Sequence, residues 1–121
     1  MTAAALATEL AAVRWPGSLD EYVLQHAVGQ ALQHAGHVAV PEVWLSARDR
    51  IDFVVAGQPP VGIEVKVAGS CDRVQAQLGR YAASPSVGEL LLVTSKARHR
   101  ALHGQTLHGK PVHVVLTGQV L

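Results

Sequence analysis

The sequence RIDFVVAGQPPVGIEVK, residues 50–66, has the pattern of two β-strands joined by a tight turn. In both halves apolar residues alternate with other residues, as they do along a strand. Residues 56–60 between the halves combine Gly with two Pro residues and therefore predict a turn. We expect a β-hairpin whose strands belong to the central sheet of the protein.

The period of two places the charged residues of this hairpin off the main apolar face. A hairpin folded about Gln58 sets Asp52 opposite Glu64, with Cβ atoms about 4.5–5.5 Å apart. Lys66 follows Glu64 by two residues and points to the same side. The apolar residues of the first strand are expected to share the other face: Ile51, Phe53 and Val55.

Paired carboxylates on neighbouring strands are not favoured in a purely structural role, because like charges directly opposite each other are destabilising. A divalent cation bound between the two carboxylates would offset their repulsion, and the pair would then form a metal-binding site. Magnesium takes oxygen ligands and keeps several waters, which leaves room for a phosphate and an attacking water. Lys66 would then orient or deprotonate that water, or stabilise charge that develops on the phosphate. The alternative interpretation is an exposed hairpin edge whose charges form surface ion pairs.

Asp52 and the following Glu64-Val65-Lys66 resemble the motif of the PD-(D/E)XK nuclease superfamily. Ile51 stands where the motif has its name-giving Pro, a position that is often aliphatic in the superfamily. The resemblance covers residues 18–116 and implies a restriction-endonuclease-like core. It also implies Mg²⁺ or Mn²⁺ as cofactor, held by Asp52 and Glu64, with Lys66 assisting hydrolysis of a phosphodiester bond. DNA is the implied substrate, ahead of RNA.

The remaining elements fit the same architecture. Helices are predicted over residues 3–13, 18–35, 70–83 and 96–103, and further strands over residues 38–45, 89–94 and 112–116. Short strands separated by helices predict a mixed central β-sheet with helices on both faces, which is a three-layer αβα fold of the α/β class. The 121 residues are expected to form a single domain.

Two helices offer further residues near the hairpin. The resemblance implies that Glu21 on the first long helix extends the metal site, although Ser18 and Glu21 also fit a capping box. Glu42 is a second candidate for such a supporting role. Gln77 and Tyr81 lie four residues apart and hence on one helix face; the resemblance implies that Gln77 positions Lys66, water or phosphate and that Tyr81 lies near nucleic acid. Tyr81 also continues the apolar stripe of Val74 and Leu78, which alternatively makes it a core residue.

Cationic side chains on the later helices are candidates for phosphate contacts, or alternatively form a solvated basic face. They are Arg73, Arg80, Lys96, Arg98 and Arg100. His99 and His103 have the spacing at which two imidazoles can share a zinc ion. No Glu in the metalloprotease position and no Cys cluster accompanies them, so this signal is weak.

Composition excludes several classes of protein. One cysteine, Cys71, rules out an intramolecular disulfide framework. No apolar run reaches the length of a membrane span, and the first residues lack the basic region of a signal peptide. A cytoplasmic protein without membrane contact is expected. The formal net charge of +1 gives no broad signature of nucleic-acid binding.

Together, the charged residues of the hairpin and the resemblance imply a metal-dependent DNA endonuclease that recognises DNA structure or acts within a larger complex. Repair, recombination, phage and mobile-element roles are equally compatible. One specific version of this hypothesis is a homodimer that cuts branched or junction DNA. The alternative is a nuclease-fold module that no longer cuts and serves in nucleic-acid binding or assembly. A third hypothesis is an unrelated small α/β enzyme.

Overall fold

A computed structural model describes residues 1–17 and 20–117 of the protein, and within these residues it contains three α-helices, six β-strands and one 3₁₀-helix. The α-helices are α1 (Ala3–Ala11), α2 (Glu21–His34) and α3 (Cys71–Ala82). The strands are β1 (Ala39–Trp44), β2 (Arg50–Val55), β3 (Val61–Lys66), β4 (Glu89–Thr94), β5 (Thr106–Leu107) and β6 (Lys110–Leu116). The 3₁₀-helix, Ala97–Leu102, follows β4.

The strands form one mixed sheet in the order β1-β2-β3-β4-β6-β5. The first three strands are antiparallel neighbours, and β3, β4 and β6 run parallel to one another. Strand β4, with the sequence ELLLVT, lies between two parallel neighbours, which explains its continuous apolar run. The prediction of an α/β protein with a mixed sheet is confirmed.

Helices cover both faces of this sheet. Helices α1 and α2 pack on one face, in a cluster that contains Leu6, Leu24 and Val28 together with Phe53 and Ile63. Helix α3 packs on the opposite face, in a second cluster built around Val74, Leu78, Tyr81, Leu90 and Leu92. No helix among the described residues is long and apolar enough to cross a membrane.

The starts of the two long helices are fixed by side-chain caps. Ser70 caps α3 by accepting a hydrogen bond from the backbone N–H of Arg73, in the role that the sequence predicted. Helix α2 begins at Glu21, and its N-cap is Asp20, whose carboxylate accepts from the backbone N–H of Tyr22 at 2.9 Å. The expected cap residue Ser18 lies outside the described residues.

The regular alternation of side chains between the two faces of the sheet is interrupted in β2 at Asp52. Phe53 packs in the cluster beneath α1 and α2, whereas Ile51 packs in the cluster beneath α3. The expectation that Ile51 shares a face with Phe53 is therefore wrong. Glu42, which the β1–β2 register sets opposite Asp52, has a left-handed backbone with φ of +52°. This distortion of two adjacent strands interrupts the regular alternation.

Candidate active site

Asp52 lies where the pairing of β2 with β3 ends. The registered pairs run from Val55 and Val61 to Phe53 and Ile63, and the same register sets Asp52 opposite Glu64, as predicted. Beyond this point the carboxylate of Asp52 replaces a backbone partner, because its Oδ2 accepts a hydrogen bond from the backbone N–H of Val65 at 2.7 Å. The strands separate there, and their charged side chains occupy the opening.

Glu64 is the buried member of the carboxylate pair, with only 4% of the residue exposed. Its Oε1 lies 3.4 Å from the backbone N of Asp52, and its Oε2 lies 3.2 Å from Nζ of Lys66. The Lys66 side chain is itself 19% exposed. This burial rules out the alternative of an exposed hairpin edge with surface ion pairs.

Burial opposes the ionisation of both carboxyl groups. Burial raises the pKa of Glu64 to about 8, and the negative charge of Asp52 adds to the effect, while Lys66 opposes it. Burial also raises the pKa of Asp52, against the hydrogen bond from Val65. A cation between the two groups would favour both charged forms, so these oxygen donors suit a hard divalent ion such as Mg²⁺ or Mn²⁺.

No cluster of three or more His, Cys, Asp or Glu side chains is arranged to hold a metal ion in residues 1–17 and 20–117. A cation at this position would find two carboxylates, those of Asp52 and Glu64, and water and phosphate would complete its coordination. Such a small protein contribution is typical of magnesium sites that act on phosphates.

Helix α2 approaches the pair from one side of the sheet. Nε2 of Gln25 donates a hydrogen bond to Oδ1 of Asp52 at 2.5 Å. The charge of Glu21, one turn earlier, contributes to the raised pKa of Asp52, so the start of α2 faces the site. Gln25 was not singled out from the sequence. Its spacing of four residues from Glu21 is the signal that could have identified it.

Helix α3 approaches from the opposite side. The hydroxyl of Tyr81 donates to the backbone O of Arg50 at 3.0 Å and accepts from Nε2 of Gln77 at 2.8 Å. Gln77 and Tyr81 thus share a helix face, and the amide nitrogen of Gln77 is directed to Tyr81. Burial raises the pKa of Tyr81 and the charge of Glu64 raises it further. With 1% exposure, Tyr81 supports the site from below its surface.

The candidate phosphate-binding cations all belong to α3, the 3₁₀-helix and the residue that precedes it. Nε of Arg80 forms an ion pair with Oδ1 of Asp49 at 3.0 Å. Nε of Arg98 donates to the backbone O of Gly69 at 3.0 Å. No ion pair is formed by the other three cations within the described part of the chain: Arg73, Lys96 and Arg100.

The remaining candidates are Glu42, expected to support the metal site, and His99, expected as a zinc ligand together with His103. The Glu42 side chain is 64% exposed, and its carboxylate lies 3.6 Å from Nη2 of Arg50. His99 is fully buried, with Nδ1 2.7 Å from Oγ1 of Thr94 and Nε2 2.8 Å from the backbone O of Gly69. Because both of its ring nitrogens are engaged, His99 does not form a zinc site with His103.

Comparisons with protein-family models, curated proteins and solved structures found no match to this chain. Asp52, Glu64 and Lys66, with the side chains around them, are therefore the basis for assigning a function.

Proposed function

We propose that the protein is a metal-dependent nuclease that hydrolyses phosphodiester bonds in DNA and has a restriction-endonuclease-like αβα fold. The observation that supports this proposal is the buried group of Asp52, Glu64 and Lys66 at the point where β2 and β3 separate. Burying two carboxylates side by side costs stability. A catalytic use of the pair accounts for that cost.

Asp52 and Glu64 would hold Mg²⁺ or Mn²⁺, and Glu21 would extend the negative field from α2. When bound, such an ion polarises the scissile phosphate and favours deprotonation of a coordinated water. Gln25 fixes one oxygen of Asp52, and the backbone N–H of Val65 fixes the other. The Asp52 carboxylate is thereby held in one orientation before substrate arrives, which lowers the cost of organising the site.

Lys66 contributes the one ammonium group that contacts the carboxylate pair in the described structure. It lies 3.2 Å from Glu64 and is partly exposed, so it can also reach a substrate at the opening between the strands. In this position Lys66 orients the attacking water and stabilises negative charge that develops on the phosphate. Gln77 and Tyr81 hold the backbone of Arg50, two residues before Asp52.

DNA would lie against the side of the molecule that carries α3 and the 3₁₀-helix, where Arg73, Lys96 and Arg100 can contact phosphates. Phosphate contacts do not read sequence, and the site offers no element for base recognition in a major groove. We therefore expect selection by DNA structure, by a partner within a complex, or by pairing of two copies. Light scattering of the purified protein tests the homodimer.

The proposed activity is tested by incubating supercoiled plasmid, single-stranded DNA, a four-way junction and RNA with the protein and Mg²⁺ or Mn²⁺. The parent is expected to cut DNA only with metal. The variants Asp52→Asn, which removes a metal ligand, and Lys66→Ala, which removes the group beside the attacking water, should each lose at least about 100-fold in rate. Asp72→Asn, at an exposed carboxylate in the first turn of α3, is the matched control and should retain parental activity.

Two outcomes would reject the proposal. Cutting that persists in both Asp52→Asn and Lys66→Ala would identify a contaminating nuclease. Binding of DNA and Mn²⁺ by a folded parent that cuts no substrate would favour the inactive binding module instead.

A further inference from the structure

A groove runs from the candidate active site along the side of α2 that faces β1 and β2. It lies between this helix and strands β1 and β2, and it encloses about 590 Å³. Asp52 lines one end of the groove, and His37 lines the other. A volume of this size falls within the range of small-molecule binding sites. The groove is separate from the basic residues of α3, which lie on the opposite face of the sheet.

The lining of the groove is mixed and combines apolar residues with amides, two imidazoles and two carboxylates. Three glutamine side chains face it, from Gln25, Gln30 and Gln33, with Tyr22 at its rim. None of the described residues that line it is Lys or Arg. A phosphate backbone would therefore find no cation there. Amide groups can both donate and accept hydrogen bonds, as the edges of nucleobases do, and an aromatic ring offers a stacking surface.

Gly29 keeps the middle of the groove open. This residue lies inside α2, where glycine is less favourable than alanine by about 1 kcal/mol. A Cβ atom at Gly29 would lie 3.4 Å from the ring of Phe53, which lines the groove below the helix. A larger side chain at this position would extend into the groove. Gly29 therefore lowers the stability of the helix at the position where a larger side chain would narrow the groove.

We propose that this groove binds an unpaired base of the nucleic-acid strand whose phosphate lies at Asp52 and Glu64. The proposal deepens the nuclease function and rests on it. Tyr22 is 75% exposed and provides the stacking surface, while the glutamine amides contact the edge of the base. Gln25 connects the two sites, because the same side chain lines the groove and donates to Asp52.

The proposal is tested by binding measurements without metal, so that no cutting occurs. Fluorescence anisotropy compares a labelled duplex with a short single-stranded tail and the same duplex with an abasic tail, which keeps the phosphates but lacks the bases. The parent should bind the tail with bases about tenfold more tightly, the usual effect of one base–aromatic stack. Tyr22→Ala and Gly29→Leu should bind both substrates equally.

Trp44→Ala is the matched control, because Trp44 is another exposed aromatic residue and does not line the groove. This variant should keep the parental preference. Circular dichroism verifies that each variant is folded, and Tyr22→Ala alters only an exposed side chain. Equal binding of both tails by the parent, or a preference that survives in Tyr22→Ala, would overturn the proposal.

Different results would reject the base-binding proposal and the nuclease proposal. Metal-dependent cutting without a preference for bases would retain the nuclease and overturn the groove proposal. A base preference that is lost in Tyr22→Ala, without cutting in metal, would support base binding and reject the nuclease. A free nucleoside monophosphate is added as competitor; if it displaces the tailed duplex at the concentration at which the duplex itself competes, the assignment to a strand is overturned.

Discussion

Glu64 makes the stability of the metal-free protein depend on pH. Its ordinary pKa of 4.5 is raised to about 8 in the folded protein. The folded state therefore binds a proton more tightly than the unfolded chain, so this group's contribution is fully present below pH 4.5 and is lost as pH rises through about 8. We predict that urea denaturation without metal gives a free energy of unfolding that decreases over this range.

Glu64→Gln should reduce this decrease, because the amide has no charge to bury, and should stabilise the metal-free protein at about pH 9. Asp72→Asn, which changes an exposed carboxylate, should leave the decrease unchanged. An undiminished decrease in Glu64→Gln would mean that other groups cause it. Under the proposed function, Mg²⁺ should raise the melting temperature of the parent more at high pH than at low pH, because the proposed site binds it through two charged carboxylates.

The sequence was sufficient to predict that Asp52 and Glu64 face each other, because alternation and the position of the turn determine which residues pair. The contacts that orient them could not be predicted in the same way. Gln25 reaches Asp52 across 27 residues of sequence, and Tyr81 reaches the backbone of Arg50 across 31. Such contacts depend on how α2 and α3 pack against the sheet.

At the scale of elements, the 3₁₀-helix secures the turn between β3 and α3. His99 on this helix contacts Thr94 at the end of β4 through a buried hydrogen bond and Gly69 in the turn through a partly buried one. We predict that His99→Phe lowers the free energy of unfolding by about 1–3 kcal/mol, because buried polar groups lose a partner. Urea denaturation at a pH near neutrality measures the change.

Arg98→Ala is the control for this prediction, because it removes a second contact to the same Gly69 carbonyl from an exposed side chain. Its effect should stay within about 0.5 kcal/mol. Equal losses in the two variants would show that burial of the His99 contacts does not determine their contribution.

Periodicity predicted the regular elements well and the irregular ones poorly. Strand β4 has the predicted bounds, and α3 has the predicted cap. Strand β5 has only two residues, too short for a periodic signal. The change of face within β2 was missed because the period of two assumes an undistorted strand, whereas Glu42 on the neighbouring strand adopts a left-handed backbone. The distortion occurs opposite Asp52.

At the scale of the whole molecule, ten Lys and Arg residues nearly balance nine Asp and Glu residues. This balance limits how strongly the affinity of the proposed DNA binding can depend on salt concentration. Arg73, Lys96 and Arg100 form no ion pair within the described residues. Three phosphate contacts predict a slope of about −3 per protomer when the logarithm of the binding constant is plotted against that of salt concentration.

Anisotropy titrations of duplex DNA at a series of salt concentrations measure this slope. The triple variant Arg73→Ala, Lys96→Ala, Arg100→Ala should make the slope shallower by about 3, which leaves only the contribution of other cations such as Lys66. A slope of about −6 or steeper for the parent would require phosphate contacts from additional cations. An unchanged slope in the triple variant would mean that DNA binds elsewhere on the surface.

The distorted segment of β1 also affects how the protein behaves at high concentration. Strand β1 forms an edge of the sheet, and its exposed Val40 and Trp44 would make a straight edge prone to intermolecular β-sheet growth. Pro41 has no N–H to offer an incoming chain, and the left-handed backbone of Glu42 turns the next peptide groups out of line. The irregularity beside Asp52 thus protects this edge from aggregation.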